Sequence, residues 1–152
     1  FKGHIDKQIE LTAERLKSQM AVYPKSILGV IAPKRDNVKY IAAKLEAIGL
    51  KDLLCVQMSD GYQPIDPNKP IWVSTINGAK GLEFRALHML CMQDALSHGS
   101  VQKRLSFTGV TRAKTSLSVY YDGDLPNYFA GALAKLQPAK PSQKIEVAFG
   151  KK

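Results

Sequence analysis

A chain of 152 residues, 45% of them hydrophobic, can bury one sizeable core and is too apolar to be disordered throughout. Lys and Arg number 22 against 13 acids, a formal charge of +9; this favours nucleic acid first and an anionic membrane surface second as partners, or else a merely solvated basic surface. Cys55 and Cys91 both lie in apolar runs without metal-ligand spacing or a disulfide framework, which suits a reducing, intracellular compartment: cytoplasm or nucleoid, or the nucleus in a eukaryote.

Along residues 4–22, Ile5, Ile9, Leu16 and Met20 recur at helical spacing among Lys, Glu and Arg, predicting an amphipathic helix. Ile27 to Ala32 is a short apolar run stopped by Pro33, the pattern of a strand buried on both faces. Asp36 is the expected cap of a second helix with the stripe Val38, Ile41, Ala42, Leu45 and Ile48, closed by Gly49. Leu53 to Gln57 reads as a second strand, 58–70 as a polar loop and Ile71 to Thr75 as a third strand. A fourth strand is expected from Leu87 to Met92, then a connection over 93–99, a helix over 100–112 and a fifth strand from Leu117 to Tyr121. Asp124 opens a last helix, with Pro126 in its first turn and Phe129, Leu133 and Leu136 on one face. From Pro138 the tail holds two prolines, four lysines and one acid, a basic extension over 138–152 in which Ile145 to Phe149 alternates like an added strand. Strands alternating with helices predict an α/β domain over 1–137, a mostly parallel sheet of five or six strands flanked on both faces. No run approaches the ~18 apolar residues of a membrane span, so no membrane partner is expected. The start at Phe1 suggests a piece of a longer protein.

Two blocks carry the chemistry. The first is Thr75-Ile76-Asn77-Gly78-Ala79-Lys80-Gly81-Leu82-Glu83-Phe84. It follows the third strand, and ligands of open α/β sheets bind beyond the carboxyl ends of strands. Gly78 and Gly81 permit close backbone approach to a phosphate, Lys80 adds a cation and Glu83 an acceptor for a ribose hydroxyl. Alone, the block carries little information, and a tight strand-to-helix turn with a solvated Lys and Glu is the plainer reading. The second block is Arg104-Leu105-Ser106-Phe107-Thr108-Gly109-Val110-Thr111-Arg112-Ala113-Lys114. It sets Arg112 between a helix and a strand, where an anchored guanidinium can meet the charge of a transferring phosphate. The plain alternative is a surface Arg paired with a carboxylate.

In this order the two blocks resemble motifs V and VI of the UvrD/Rep-like superfamily 1 helicases, over about residues 27 to 137. The resemblance implies a RecA-like second motor domain, which completes an ATP site without building one alone. By position it implies ATP-binding roles for Gly81, Glu83, Thr111 and Arg112, with Arg112 catalytic through the γ-phosphate. It implies nucleic-acid contacts at Thr75, Asn77 and Lys80, and at Lys34 and Arg35 in the segment after the first strand. The partners implied are single-stranded DNA and an N-terminal RecA-like motor domain; the cofactors are ATP and Mg²⁺, the metal held by that missing domain. Asn77 stands where the family usually has His, and Phe107 where it often has Tyr. Only about 13 residues separate the second and third strands, as in the compact subgroup lacking a large insertion. No G-x-x-x-x-G-K-[ST] and no strand-end acidic pair occurs, so the fragment alone is expected not to hydrolyse ATP and to hold no metal. Two rival readings are a non-enzymatic RecA-like docking module for nucleic acid or protein, and a flavodoxin-like small-ligand domain. His4, His88, His98 and Trp72 are expected to be structural.

Overall fold

The apolar runs of the sequence become strands of one sheet. The computed structural model describes residues 1–57, 66, 68–96 and 107–130. Within them β1 is Leu28–Ala32, β2 Leu54–Gln57, β3 Ile71–Thr75, β4 Phe84–Met89 and β5 Ala113–Val119. Their spatial order is β2-β3-β1-β4-β5, and every pairing is parallel. β1 is central and wholly buried, as a strand covered on both faces must be. Its side chains alternate between layers: Leu28, Val30 and Ala32 enter one apolar cluster and Ile31 the other.

Helices α1 (Ile5–Val22) and α2 (Arg35–Leu45) contribute to the first cluster through Ile9, Ala13 and Leu16 and through Val38, Ile41 and Leu45. The second cluster takes Ile76 and Ala79 from the connection after β3, Trp72, Phe84, Leu87, Met89, and Phe129 from helical residues 127–130. The α/β architecture expected from the alternation is therefore present. Gly29 keeps the centre thin. A Cβ there would lie 2.6 Å from Phe84 Cγ and 2.7 Å from Leu87 Cδ1. Gly29→Ala should therefore lower the unfolding free energy by about 1–3 kcal/mol, the usual penalty of overpacking a filled core. An unchanged denaturant midpoint would mean that Phe84 and Leu87 move aside freely.

Several boundaries differ from the sequence expectation. β4 spans Phe84–Met89 rather than 87–92. Leu90 still donates to Ile31 O at 2.9 Å, but Cys91 turns the chain with φ 56°, and Met92–Leu96 is a 3-10 turn. An apolar run marks neither its first paired residue nor a left-handed non-glycine. β5 starts at Ala113, not Leu117, because an outermost strand can pair while exposing Lys114, Thr115 and Leu117. Asp36 does not cap α2: the helix begins at Arg35, after Lys34, without a side-chain cap, and Asp36 sits in its first turn. Gly49 holds φ 87°, as a helix-ending glycine should, though inside a wide turn over Glu46–Leu50. β2 begins one residue later than expected, at Leu54, and β1 one later, at Leu28. The helix expected over 100–112 is described only at 107–110 and the last helix only at 127–130. His98, most of the loop at 58–70 and the tail from Pro138 lie outside the described residues.

Both cysteines are buried and free, and burial, aided by the charge of Asp94, pushes the Cys91 thiol up to about 12. Trp72 is buried, its indole N–H donating to Lys69 O at 3.2 Å. Among the described residues no helix is long and apolar enough to cross a membrane, and no cluster of three His, Cys, Asp or Glu could hold a metal.

Candidate functional site

Strand register sets the height of each functional residue. Leu28, Ile71 and Ala86 share one level, and Ala32 pairs with Thr75 four residues further along. Glu83 and Arg112 immediately precede β4 and β5, where Phe84 pairs with Ala113 and its N–H donates to Arg112 O at 2.8 Å. At about 3.3 Å per residue, Thr75 and the Glu83–Arg112 pair are separated by about 23 Å along the strands. The residues singled out in the sequence thus divide between two rims. Placement at the carboxyl ends holds for Thr75 to Gly78, and the turns through Lys80 lead from there back along the sheet; Glu83, Thr111 and Arg112 stand at the amino ends of β4 and β5.

At the carboxyl rim, Thr75 is buried and its Oγ1 accepts from the Gly78 N–H at 3.0 Å. Its hydroxyl is occupied in closing the turn. Ala79 N–H donates to Thr75 O, Lys80 N–H to Asn77 O and Leu82 N–H to Ala79 O, a run of local turns ending at Gly81 with φ 87°. Ile76 and Ala79 point into the core, whereas Asn77 and Lys80 are exposed. Lys80 forms no ion pair with a described residue, so its charge faces outward. A Cβ at Gly78 would fall 2.3 Å from Ser74 Oγ, so a larger residue there would have to displace that hydroxyl. Lys34 and Arg35 are on the same rim, at the start of α2. Lys34 is already engaged, its Nζ 2.7 Å from Asp94 Oδ1, and Asn37 Nδ2 donates to Asp94 Oδ2 at 2.5 Å. Asp94 therefore offsets the Lys34 charge. Sixty positions separate the partners, and no local sequence signal announces the pair.

At the amino rim, Arg112 is half-buried and Glu83 and Thr111 are exposed. Arg112 Nε donates to Thr108 O at 3.3 Å, and Thr111 Oγ1 donates to the same carbonyl at 2.9 Å. The guanidinium is anchored through Nε to the turn behind it, and no described carboxylate forms an ion pair with it. Glu83 Oε2 lies 2.6 Å from Lys114 Nζ. The Lys114 hydrogen bond and charge hold the Glu83 carboxyl below the usual carboxylate range, with a lesser pull from the charge of Arg112. Arg85 turns away, its guanidinium 4.9 Å from the centre of the Tyr23 ring. A hydroxyl acceptor beside two cations suits a ribose and a polyphosphate; no cluster of metal ligands accompanies it among the described residues. Lys114, the last residue of the second block, has no role expected from the sequence, and its spacing from Glu83 carries no motif.

Comparison with known proteins bears on the fold that carries these residues. Residues 70–120, from the approach to β3 through the end of β5, match the family of UvrD-like helicase C-terminal domains. No curated protein matches the chain by sequence. Among solved structures, the C-terminal domain of a possible DNA helicase from Lactobacillus plantarum WCFS1 is 21% identical with a TM-score of 0.57, covering 78% of this chain and 71% of that one. Domain 2 of the DEAD-box helicase Mss116p, solved bound to an RNA duplex, is 16% identical with a TM-score of 0.53, over 82% of this chain and 53% of that one. The C-terminal part of the Fun30 ATPase domain is 11% identical with a TM-score of 0.51, over 83% and 46%. At such identities the likeness concerns the fold, which is RecA-like α/β.

Proposed function

We propose that this chain, whose residues 70–120 match the family of UvrD-like helicase C-terminal domains, is the second motor domain of an ATP-dependent DNA helicase or translocase. The observation that carries this role is the amino rim. There Glu83 stands ahead of β4 beside a half-buried Arg112 that no described carboxylate pairs. ATP would lie between that rim and an N-terminal motor domain that cradles the phosphates and holds Mg²⁺. Glu83 accepts from the ribose hydroxyls, and the Gly81 and Thr111 segments line the approach. Arg112 directs its terminal nitrogens at the γ-phosphate, where charge develops during transfer. Bound Mg²⁺ supplies further neutralisation of the phosphates. The carboxyl rim takes single-stranded DNA, with Asn77 donating to a phosphate, Lys80 and Arg35 supplying charge, Thr75 fixing the turn that presents Asn77, and Lys34 contributing less because of Asp94. Asn77 cannot become cationic, so its contact is independent of pH.

The test joins the chain to its natural upstream sequence and measures ATP hydrolysis with and without single-stranded DNA, against the chain alone. Hydrolysis stimulated by DNA in the joined protein and absent from the chain alone is the expected result. Binding to single-stranded DNA should weaken steeply as salt rises, each neutralised phosphate steepening the log–log slope by about 0.7. Lys80→Ala should accordingly flatten that slope by about the same amount. A joined protein that binds DNA with the same salt dependence but hydrolyses nothing would instead mark a docking module.

A further inference from the structure

We propose that Lys114 is a positioning residue: by engaging the Glu83 carboxylate it keeps that carboxylate off Arg112 and leaves the guanidinium open to a nucleotide. This role rests on the arginine's function proposed above. Glu83 and Arg112 are the residues just ahead of a paired rung, joined through the Phe84 N–H and Arg112 carbonyl at 2.8 Å. A carboxylate and a guanidinium so placed are natural partners, and the planar fork of Arg binds carboxylate better than the ammonium of Lys does. Yet the pair that exists is the other one, Glu83 Oε2 to Lys114 Nζ at 2.6 Å, while Arg112 turns its Nε to Thr108 O.

A strand irregularity accounts for this choice. Between Phe84 and Ala86, β4 advances two residues while β5 advances three, from Ala113 to Ser116. Lys114 and Thr115 together oppose Arg85, so Lys114 leaves the regular rung, as side chains at bulges do. Arg85, the nearest alternative cation on β4, is stacked over Tyr23. The field of Arg112 contributes to the lowered acidity range of Glu83, so the guanidinium is within electrostatic reach of the carboxylate. Remove Lys114, and Glu83 turns to Arg112 and occupies the two terminal nitrogens that a phosphate needs.

The first measurement uses this chain and no nucleotide: a carbon-detected NMR titration of the Glu83 carboxyl in wild type, Lys114→Met, and Lys114→Met combined with Arg112→Ala. Both side chains are well exposed or half-buried, so neither variant threatens the core. The expected result is a Glu83 pKa that stays below the ordinary carboxylate value in Lys114→Met and returns to it only when Arg112 is also removed. A return to the ordinary value in Lys114→Met alone overturns the proposal. The second measurement uses the chain joined to its upstream motor domain. There Lys114→Met should lower kcat about two- to fivefold, the scale of one exposed ion pair, whereas Lys114→Arg keeps the wild-type value. Adding Glu83→Gln to Lys114→Met should raise kcat above that of Lys114→Met, because a neutral amide releases Arg112, while KM for ATP rises with the weakened ribose contact. A wild-type kcat in Lys114→Met, with Arg112→Ala inactive, refutes the positioning role and spares the arginine's function. A wild-type kcat in Arg112→Ala itself strikes that function instead, and the titration still decides which cation Glu83 chooses.

Discussion

Replacing Arg112 by Ala in the chain joined to its upstream motor domain is expected to lower the DNA-stimulated kcat by about 10³-fold or more. That factor corresponds to roughly 4 kcal/mol of transition-state stabilisation. The physical ground is local. Arg112 is half-buried, its Nε is tied to Thr108 O at 3.3 Å, and no described carboxylate neutralises it. A guanidinium held this way undergoes little reorganisation when charge develops on a phosphate before it. The substitution removes little packing, so the thermal unfolding midpoint of the chain should stay close to that of wild type, separating loss of chemistry from loss of fold. KM for ATP should change much less than kcat, because the contact strengthens during transfer. Arg112→Lys should fall between the two, retaining charge but not the planar fork. Equal turnover in wild type and Arg112→Ala would remove the arginine from the mechanism.

The second large effect concerns stability and acid. His88 is fully buried in β4, with Nε2 2.9 Å from Gln19 Oε1 and Nδ1 3.2 Å from the Tyr120 hydroxyl. These partners suit a neutral ring that donates from Nε2 and accepts at Nδ1. Burial, with a smaller push from the charge of Arg15, lowers the His88 imidazole from 6.5 to about 4. The sign follows from proton counting. Between pH 6.5 and 4 the unfolded chain binds a proton at this histidine and the folded chain does not, so the unfolding free energy falls as pH falls. Over that window the loss amounts to about 3 kcal/mol. Denaturant unfolding at pH 7, 5.5 and 4 would measure it, and His88→Gln should flatten the dependence. The window lies mostly above the range in which Asp6 and Glu83, both depressed carboxyls, lose their contribution. An unfolding free energy in wild type that stays level from pH 6.5 to 4 would show that His88 is charged in the folded protein.

Much of the fold is legible because apolar runs and turn residues coincide. Leu28 to Ala32 before Pro33, and Ile71 to Thr75 before a glycine-containing block, are strands within one residue of expectation. The stripe on α2 packs as its spacing requires, with Val38, Ile41, Ala42 and Leu45 all buried. Where the sequence misleads, a long-range cause is at work. β4 begins at Phe84 because Arg112, 28 positions later, supplies the carbonyl that its N–H needs; hydropathy cannot reveal that. β5 carries Lys114 and Thr115 because it is the outermost strand among the described residues. The site is legible as two blocks but not as two rims, since only the parallel register shows that residues eight apart, Thr75 and Glu83, stand at opposite ends of the sheet. The ion pairs Lys34–Asp94 and Glu83–Lys114 join residues 60 and 31 positions apart, and composition gives no sign of either.

The crossing from β3 to β4 has a mechanical consequence. It passes over β1 in eight residues, 76–83, without a long helix. The nine peptide steps from Thr75 to Phe84 reach at most about 30 Å when drawn out, and the height and lateral offset between those residues consume about 22 Å of it. Because the first six of the eight are folded into turns, the leash has almost no slack. Any tug on Glu83 of more than a few ångströms must therefore either unwind the turns that present Asn77 or drag them along.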